Sequence, residues 1–289
     1  MILALALAAL AVVLCAAAWW GANVVFHPPK MLRTLARPGD FSLPYSAVEF
    51  STFDGPKLKG WLIPAARETD RTVMLVHGWG DNKGDVLERF HWLRESFNLF
   101  LFDSRAHGES GGPLSTIGHL EAVDVDAALA CLRAERPAWA ERLGFCGYSM
   151  GASMAVHAMA RDLGVRCAVL ESPFRSFNDV VARFAWNHYR LPRFPLVYMI
   201  LAVIRLRLGT DPEPSSPIYH VARLAPRPVL FIAGSEDRLM PEADVRALHA
   251  AAGEPKELWV IAGARHGKCH EVAGEDYPRK IREFFDKNL

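Results

Sequence analysis

From Ile2 to Phe26 the chain has not one Asp, Glu, Lys or Arg. That absence excludes an ordinary surface helix, which needs a polar face toward water. Neither charge sign is in surplus either: 33 basic against 32 acidic residues leave a net charge of +1. No basic excess therefore exists to neutralise a nucleic-acid backbone. Five cysteines are scattered without a C-x-x-C pair, which argues against a disulfide framework and for reduced, mostly buried thiols. No Cys/His cluster has zinc-ligand spacing, so a structural metal is not expected. Beyond the N-terminal run there is no low-complexity segment, and no internal repeat anywhere.

What is present begins with that run of Ala, Leu and Val, long enough to span a bilayer as a helix. Trp19 and Trp20, then His27-Pro28-Pro29-Lys30, read as an interfacial girdle and a stop. A cleaved signal peptide is the competing reading. It lacks a Lys or Arg ahead of the run, the run is too long, and small residues Ala16 to Ala18 meet bulky tryptophans where cleavage would fall. A lipoprotein signal at Cys15 would want a small residue where Leu14 stands. The expectation is an uncleaved single-pass anchor over 1–27 and a linker over 28–44. Lys30, Arg33 and Arg37 flank only its C-terminal side, which places the following domain in the cytoplasm.

A chain of 289 residues has room for one large α/β domain or two small ones. Residues 47–53 and 58–64 alternate around Asp54-Gly55 and predict a β-hairpin. Continuous apolar runs at 72–76, 98–102, 143–146, 166–170, 228–234 and 257–261 predict buried strands. Helical patterns at 83–95, 116–135, 241–252 and 277–287 alternate with them. Strand and helix in alternation imply a mostly parallel sheet with helices on both faces. The alternation lapses over 174–219, which has aromatic and helical pieces broken by prolines and no strand signal.

Chemistry collects at the carboxyl ends of such strands, and three of those ends carry suitable residues. Gly147-Tyr148-Ser149-Met150-Gly151 joins the run 143–146 to a helical stretch. G-x-S-x-G there is a nucleophile-elbow pattern, in which a sharp strand-to-helix turn holds the serine in a strained conformation. A β-carbon at either glycine would collide with a neighbouring strand or helix. Asp237 follows the strand at 228–234, and His266 follows the last strand. The order Ser, Asp, His is that of one serine-hydrolase architecture and not of the two other common ones.

From about residue 45 onward the sequence resembles the α/β-hydrolase superfamily. The resemblance is carried by His77-Gly78-Trp79-Gly80, Asp103-x-Arg105-x-x-Gly108-x-Ser110, the Ser149 elbow, Pro226-Arg227-Pro228-Val229-Leu230 and Gly263-Ala264-Arg265-His266. Asp103 to Ser110 and Glu171-Ser172-Pro173-Phe174 look most like its membrane-anchored esterase and acylhydrolase branch, with dienelactone-hydrolase-like and serine-peptidase-like relatives. The resemblance implies an eight-stranded α/β-hydrolase domain over 45–289, with a helical cap over 174–219 and no cofactor. It implies Ser149 as nucleophile, His266 as base and Asp237 as the acid that orients it. Backbone N–H groups of Trp79 and Met150 would form the oxyanion hole. Tyr148, Phe174 and Trp186 are the expected substrate contacts.

Each of these has a plainer reading. Ser149 could be an elbow serine in an inactive relative, and Glu236 could replace Asp237 as the acid. Asp103 is expected to brace its own loop through Arg105, His270 to lie on the surface, and His77 and His107 to shape loops. The cap carries Arg175, Arg183, Arg190, Arg193, Arg205 and Arg207. They either face solvent on an ordinary lid or form a basic face against anionic lipid. Its apolar lining favours an apolar acyl group. The reading is a hydrolase of carboxylic esters or thioesters, with a peptidase or a non-catalytic binding protein of the same fold as alternatives.

Overall fold

The hairpin expected around Asp54-Gly55 is made by β1 (Ser46–Ser51) and β2 (Lys57–Ile63), with Gly55 at φ 113°. The computed structural model describes residues 1–29 and 36–289. The remaining strands are β3 (Arg71–Val76), β4 (Asn98–Phe102), β5 (Arg142–Tyr148), β6 (Val165–Glu171), β7 (Val229–Gly234) and β8 (Lys256–Ile261). They form one sheet in the order β1-β2-β4-β3-β5-β6-β7-β8. β1–β2 and β2–β4 pair antiparallel, and all other neighbours are parallel.

The continuous apolar strands work because successive side chains leave opposite faces of the sheet. Met74 and Val76 of β3, with Phe100 and Phe102 of β4, enter one core; Val73, Leu75, Leu99 and Leu101 enter the other. The first core is covered by α3 (Glu121–Glu135), α4 (Met150–Met159) and α7 (Glu242–Ala251). The second is covered by α2 (Lys83–Phe90), the short α8 (Cys269–Ala273) and α9 (Asp276–Asn288). α3 begins later than the periodicity predicts. Ile117 and Gly118 take φ of 49° and 98°, and the Glu121 carboxylate accepts the N–H groups of Thr116 and Gly118 at 2.7 and 2.8 Å. A loop held by its own carboxylate thus occupies what reads as a first helical turn.

Between β6 and β7 stand α5 (Phe177–Tyr189) and α6 (Tyr198–Leu208). The cap arginines are largely satisfied within the fold. Arg183 grips Asp244 of α7 at 2.5 and 2.9 Å, Arg175 and Arg193 share Asp179, and Arg205 pairs with Asp211. The cap is therefore less basic toward its surroundings than its composition reads.

The N-terminal run is a single helix, α1 (Ile2–Phe26), long and apolar enough to cross a membrane. It is not a free tether. Ala18, Gly21, Ala22, Val25 and Phe26 are buried against the body, mainly against α6. Arg207 of α6 donates to Asn23 Oδ1 at 2.7 Å, and its guanidinium lies 4.7 and 4.6 Å from the ring centres of Trp19 and Phe26. Lys30 and Arg33, two of the three cations behind the orientation expectation, lie outside the described residues. All five cysteines are free thiols, with Cys146, Cys167 and Cys269 buried and Cys15 exposed on α1.

Candidate active site

β5 is central in the sheet, and the chain turns from it into α4 at Ser149, whose φ and ψ are 54° and −120°. Such a conformation costs about 1–3 kcal/mol and persists only where the surroundings enforce it. Here they do. The Ser149 N–H donates to Glu171 O of β6 at 2.8 Å. A β-carbon on Gly147 would lie 2.6 Å from Ala152 Cα, and one on Gly151 would lie 2.1 Å from Val76 O. Both glycines are needed for α4 to turn back so tightly over β5 and β3.

The three strand-end residues meet. Ser149 Oγ is 3.1 Å from His266 Nε2, and His266 Nδ1 is 2.7 Å from Asp237 Oδ2. The other oxygen of Asp237 accepts the N–H groups of Leu239 and Met240 at 2.9 and 2.8 Å. A buried carboxylate beside Nδ1 fixes the tautomer that carries its proton there, leaving Nε2 to accept from the serine hydroxyl. Glu236, the alternative acid, is exposed, whereas Asp237 is buried.

Above Ser149 is a cavity of about 870 Å³, within the range of small-molecule sites. Ser149, Met150, Tyr148, Trp79 and His266 line it. Met150 opens α4, where a backbone N–H has no partner within the helix. Val25, Ile117, Val180, Val181, Phe184 and Met240 supply an apolar wall. Glu236, Arg238, Arg265 and Lys268 lie on its polar side. The indole Nε1–H of Trp79 is buried without a partner among the described residues.

The expected substrate contacts divide. Tyr148 lines the cavity, with its ring 5.3 Å from that of His266. Phe174 is buried and takes no part in the cavity wall, its N–H donating to Ser153 Oγ at 3.1 Å. Trp186 is 52% exposed on the outside of the cap and is no part of the cavity wall. The helical repeat explains the difference: Val180, Val181 and Phe184 occupy the inward face of α5, and Trp186 falls outside it.

Three supporting residues differ from their sequence readings. Asp103 braces its loop through Lys83, whose N–H and Nζ donate at 2.7 and 2.5 Å, and through the Glu109 N–H. Arg105 pairs instead with Asp54 and Asp124. His270 is half-buried and lines the cavity, where burial and Arg89 lower its pKa. Arg89 went unread: it donates to Glu171 and to Gly267 O, and it lies 4.3 Å over the Tyr148 ring. It thereby ties the loop bearing His266 to the elbow.

His77 shapes the Trp79 loop, as expected. Its Nε2 accepts the Ser104 N–H at 2.9 Å, so its Nδ1–H donates to Gly78 O at 2.7 Å. Burial, then the neighbouring His107, pushes its pKa down to about 3. Among the described residues no group of three or more His, Cys, Asp or Glu could hold a metal ion.

A mostly parallel eight-stranded sheet with a serine elbow after β5, an acid after β7 and a histidine after β8 defines an α/β-hydrolase. The chain belongs to the α/β-hydrolase superfamily. The family model described as serine aminopeptidase S33 matches residues 67–204. The uncharacterized protein YfhR of Escherichia coli O157:H7 is 30% identical over 233 residues, covering 77% of this chain and 74% of that protein. An uncharacterized Mycobacterium tuberculosis protein is 32% identical over 243 residues, covering 82% and 78%. Among solved structures, the Pyrococcus furiosus esterase Pf2001 superposes with a TM-score of 0.76 at 28% identity, covering 92% of this chain and 98% of its own.

Proposed function

We propose that this protein is a serine hydrolase that cleaves carboxylic esters or thioesters, lipid-derived ones included, through an acyl-enzyme on Ser149. The observation that carries the reading is the hydrogen-bonded series Ser149–His266–Asp237 at the floor of an apolar-walled cavity. Ser149 Oγ bonds to the substrate carbonyl carbon as His266 Nε2 takes the hydroxyl proton. Asp237 stabilises the imidazolium that results. The tetrahedral oxyanion is received by the N–H groups of Met150 and Trp79, each donor typically worth about 2.7–4 kcal/mol. Collapse expels the alcohol or thiol with the proton from His266. Water then attacks the acyl-enzyme by the same route in reverse, releasing the acid and restoring Ser149.

That the Pyrococcus neighbour is an esterase supports ester chemistry. The serine aminopeptidase description of the matching family model favours the second reading, amide cleavage with the same residues. In the same proposal α1 is retained as a membrane anchor, with the hydrolase domain on the cytoplasmic side. A fluorophosphonate probe should label the full-length protein, and Ser149→Ala should lose both the label and turnover of p-nitrophenyl esters. Unchanged turnover in Ser149→Ala would remove the serine from the mechanism, and absence of label on the wild type would leave a binding protein. A panel of lipid esters and peptides separates esterase from peptidase.

A further inference from the structure

α1 has the length of a membrane span, yet only part of it stands clear of the body. Residues 2–13, all exposed, extend about 18 Å at about 1.5 Å each, short of the roughly 30 Å hydrocarbon layer. From Leu14 onward the helix is docked, Leu14 and Ala17 packing partly buried against the core. Ala18, Gly21, Ala22, Val25 and Phe26 turn inward at i, i+3, i+4, i+7 and i+8, which is one continuous helical face. The approach is close: a β-carbon on Gly21 would lie 2.5 Å from Ile200 Cδ1 of α6. Trp20 packs edge-on against Tyr189 at the end of α5, with ring centres 5.0 Å apart. The Phe26 carbonyl accepts the Ser115 N–H at 2.8 Å. By these contacts α1 is a third helix of the cap.

Its inward face reaches the site. Val25 is 3% exposed to solvent and stands in the cavity wall with Val180 and Val181 of α5. A helix that crosses the hydrocarbon layer has to draw its docked turns toward the bilayer, which sets the half-exposed Trp19 and Trp20 at the interface. Val25 then lies five residues, about 8 Å, beyond Trp20. That is about one headgroup layer from the hydrocarbon.

We infer that the docked end of α1 is the acyl wall of the active site. Val25 sets how far an acyl chain extends beside Ser149, and the substrate is an ester amphiphile drawn from the bilayer that holds α1. The inference rests on the acyl-enzyme reading of Ser149, and it gives the N-terminal helix a part in specificity beyond anchorage.

The test uses full-length protein in bilayer nanodiscs and a series of p-nitrophenyl esters from acetate to dodecanoate, comparing kcat/KM. Val25→Trp fills the wall. The octanoate-to-acetate ratio should fall about fifteenfold, from about fourfold for each of two displaced methylenes. Val25→Ala opens the wall and should move the chain-length optimum to longer esters. Val12→Trp, on the free stretch where Val12 is 68% exposed, should keep the wild-type ratio. A Val25→Trp ratio within twofold of wild type, with fluorophosphonate labelling of Ser149 intact, overturns the inference. So does an unmoved optimum in Val25→Ala, which decides alone if the tryptophan variant does not accumulate. A wild-type protein that takes no label and turns over no ester fails the acyl-enzyme reading instead.

Discussion

Asp237 holds His266 through one carboxylate oxygen, Oδ2 at 2.7 Å, and is itself held through the other by the Leu239 and Met240 N–H groups. The two backbone donors decide what an amide would do here. In Asp237→Asn the side-chain oxygen stays with them, and the NH2 turns toward His266 Nδ1. That imposes the opposite tautomer, and Nε2 then carries a proton and cannot accept one from Ser149. The expected loss in kcat on a p-nitrophenyl ester is about 10⁴-fold, with a melting temperature close to wild type. Near-normal kcat would move the acid's role to another carboxylate.

The elbow glycines give a stability prediction. A methyl at Gly151 meets Val76 O at 2.1 Å and His77 O at 2.6 Å. Both are backbone atoms of β3 and of the loop that leads to Trp79, so neither yields cheaply. Gly151→Ala should destabilise by about 3 kcal/mol or more. Gly39→Ala, with nothing within 4 Å of the added carbon, should stay within about 0.5 kcal/mol. Thermal melts of the two variants side by side decide it, and equal melting temperatures would refute the steric argument.

Much of this architecture is legible in the residues. Continuous apolar runs mark strands buried on both faces, and the elbow glycines mark a close backbone approach. Asp237 and His266 stand where parallel strands end, so topology delivers them to Ser149. The docking of α1 is less visible. Ala18, Gly21, Ala22, Val25 and Phe26 form one face, but every other face of the helix is apolar too. Periodicity has nothing to contrast with, and only the small residues Ala18, Gly21 and Ala22 hint at close packing. Trp186 is the opposite case. A large aromatic in a cap reads as lining, but its side of α5 is fixed by the phase of the helix. That phase depends on which of Val180, Val181 and Phe184 turn inward. The roles of Arg89 and Lys83 depend on partners distant in sequence, Glu171 and Gly267 for one and Asp103 for the other.

His77 makes stability depend on pH. Its pKa is pushed down to about 3 in the folded chain against an ordinary value of 6.5. The folded state therefore binds fewer protons than the unfolded one between those values. Its contribution is complete above about pH 6.5 and is lost as the pH falls toward 3. The shift corresponds to about 5 kcal/mol over that window. Protonation at Nε2 would also cost the hydrogen bond from Ser104 N–H. Buried His107, shifted down as well, acts in the same direction. In urea titrations of detergent-solubilised protein, His77→Gln should be less stable at pH 7. Between pH 6 and 4 it should lose stability more slowly than wild type, by about 1.4 kcal/mol per pH unit. Parallel pH slopes for the two proteins would rule His77 out as the titrating group.

Two truncations separate the free and docked parts of α1. Removing residues 2–13 takes only exposed side chains and leaves the face that packs on α6. Such a protein should leave the membrane fraction, melt within a few degrees of the full chain and still turn over p-nitrophenyl acetate. Removing residues 2–27 takes Ala18, Ala22, Val25 and Phe26 out of the larger core. It also strips Arg207 of Asn23 and of the two aromatic faces beside it. Loss of one buried phenylalanine side chain alone costs about 3–5 kcal/mol. At about 2–4 °C per kcal/mol for a domain of this size, the longer truncation should melt about 10 °C lower or more. If both truncated proteins melted and turned over ester alike, α1 would be a tether whose docking contributes nothing to the fold.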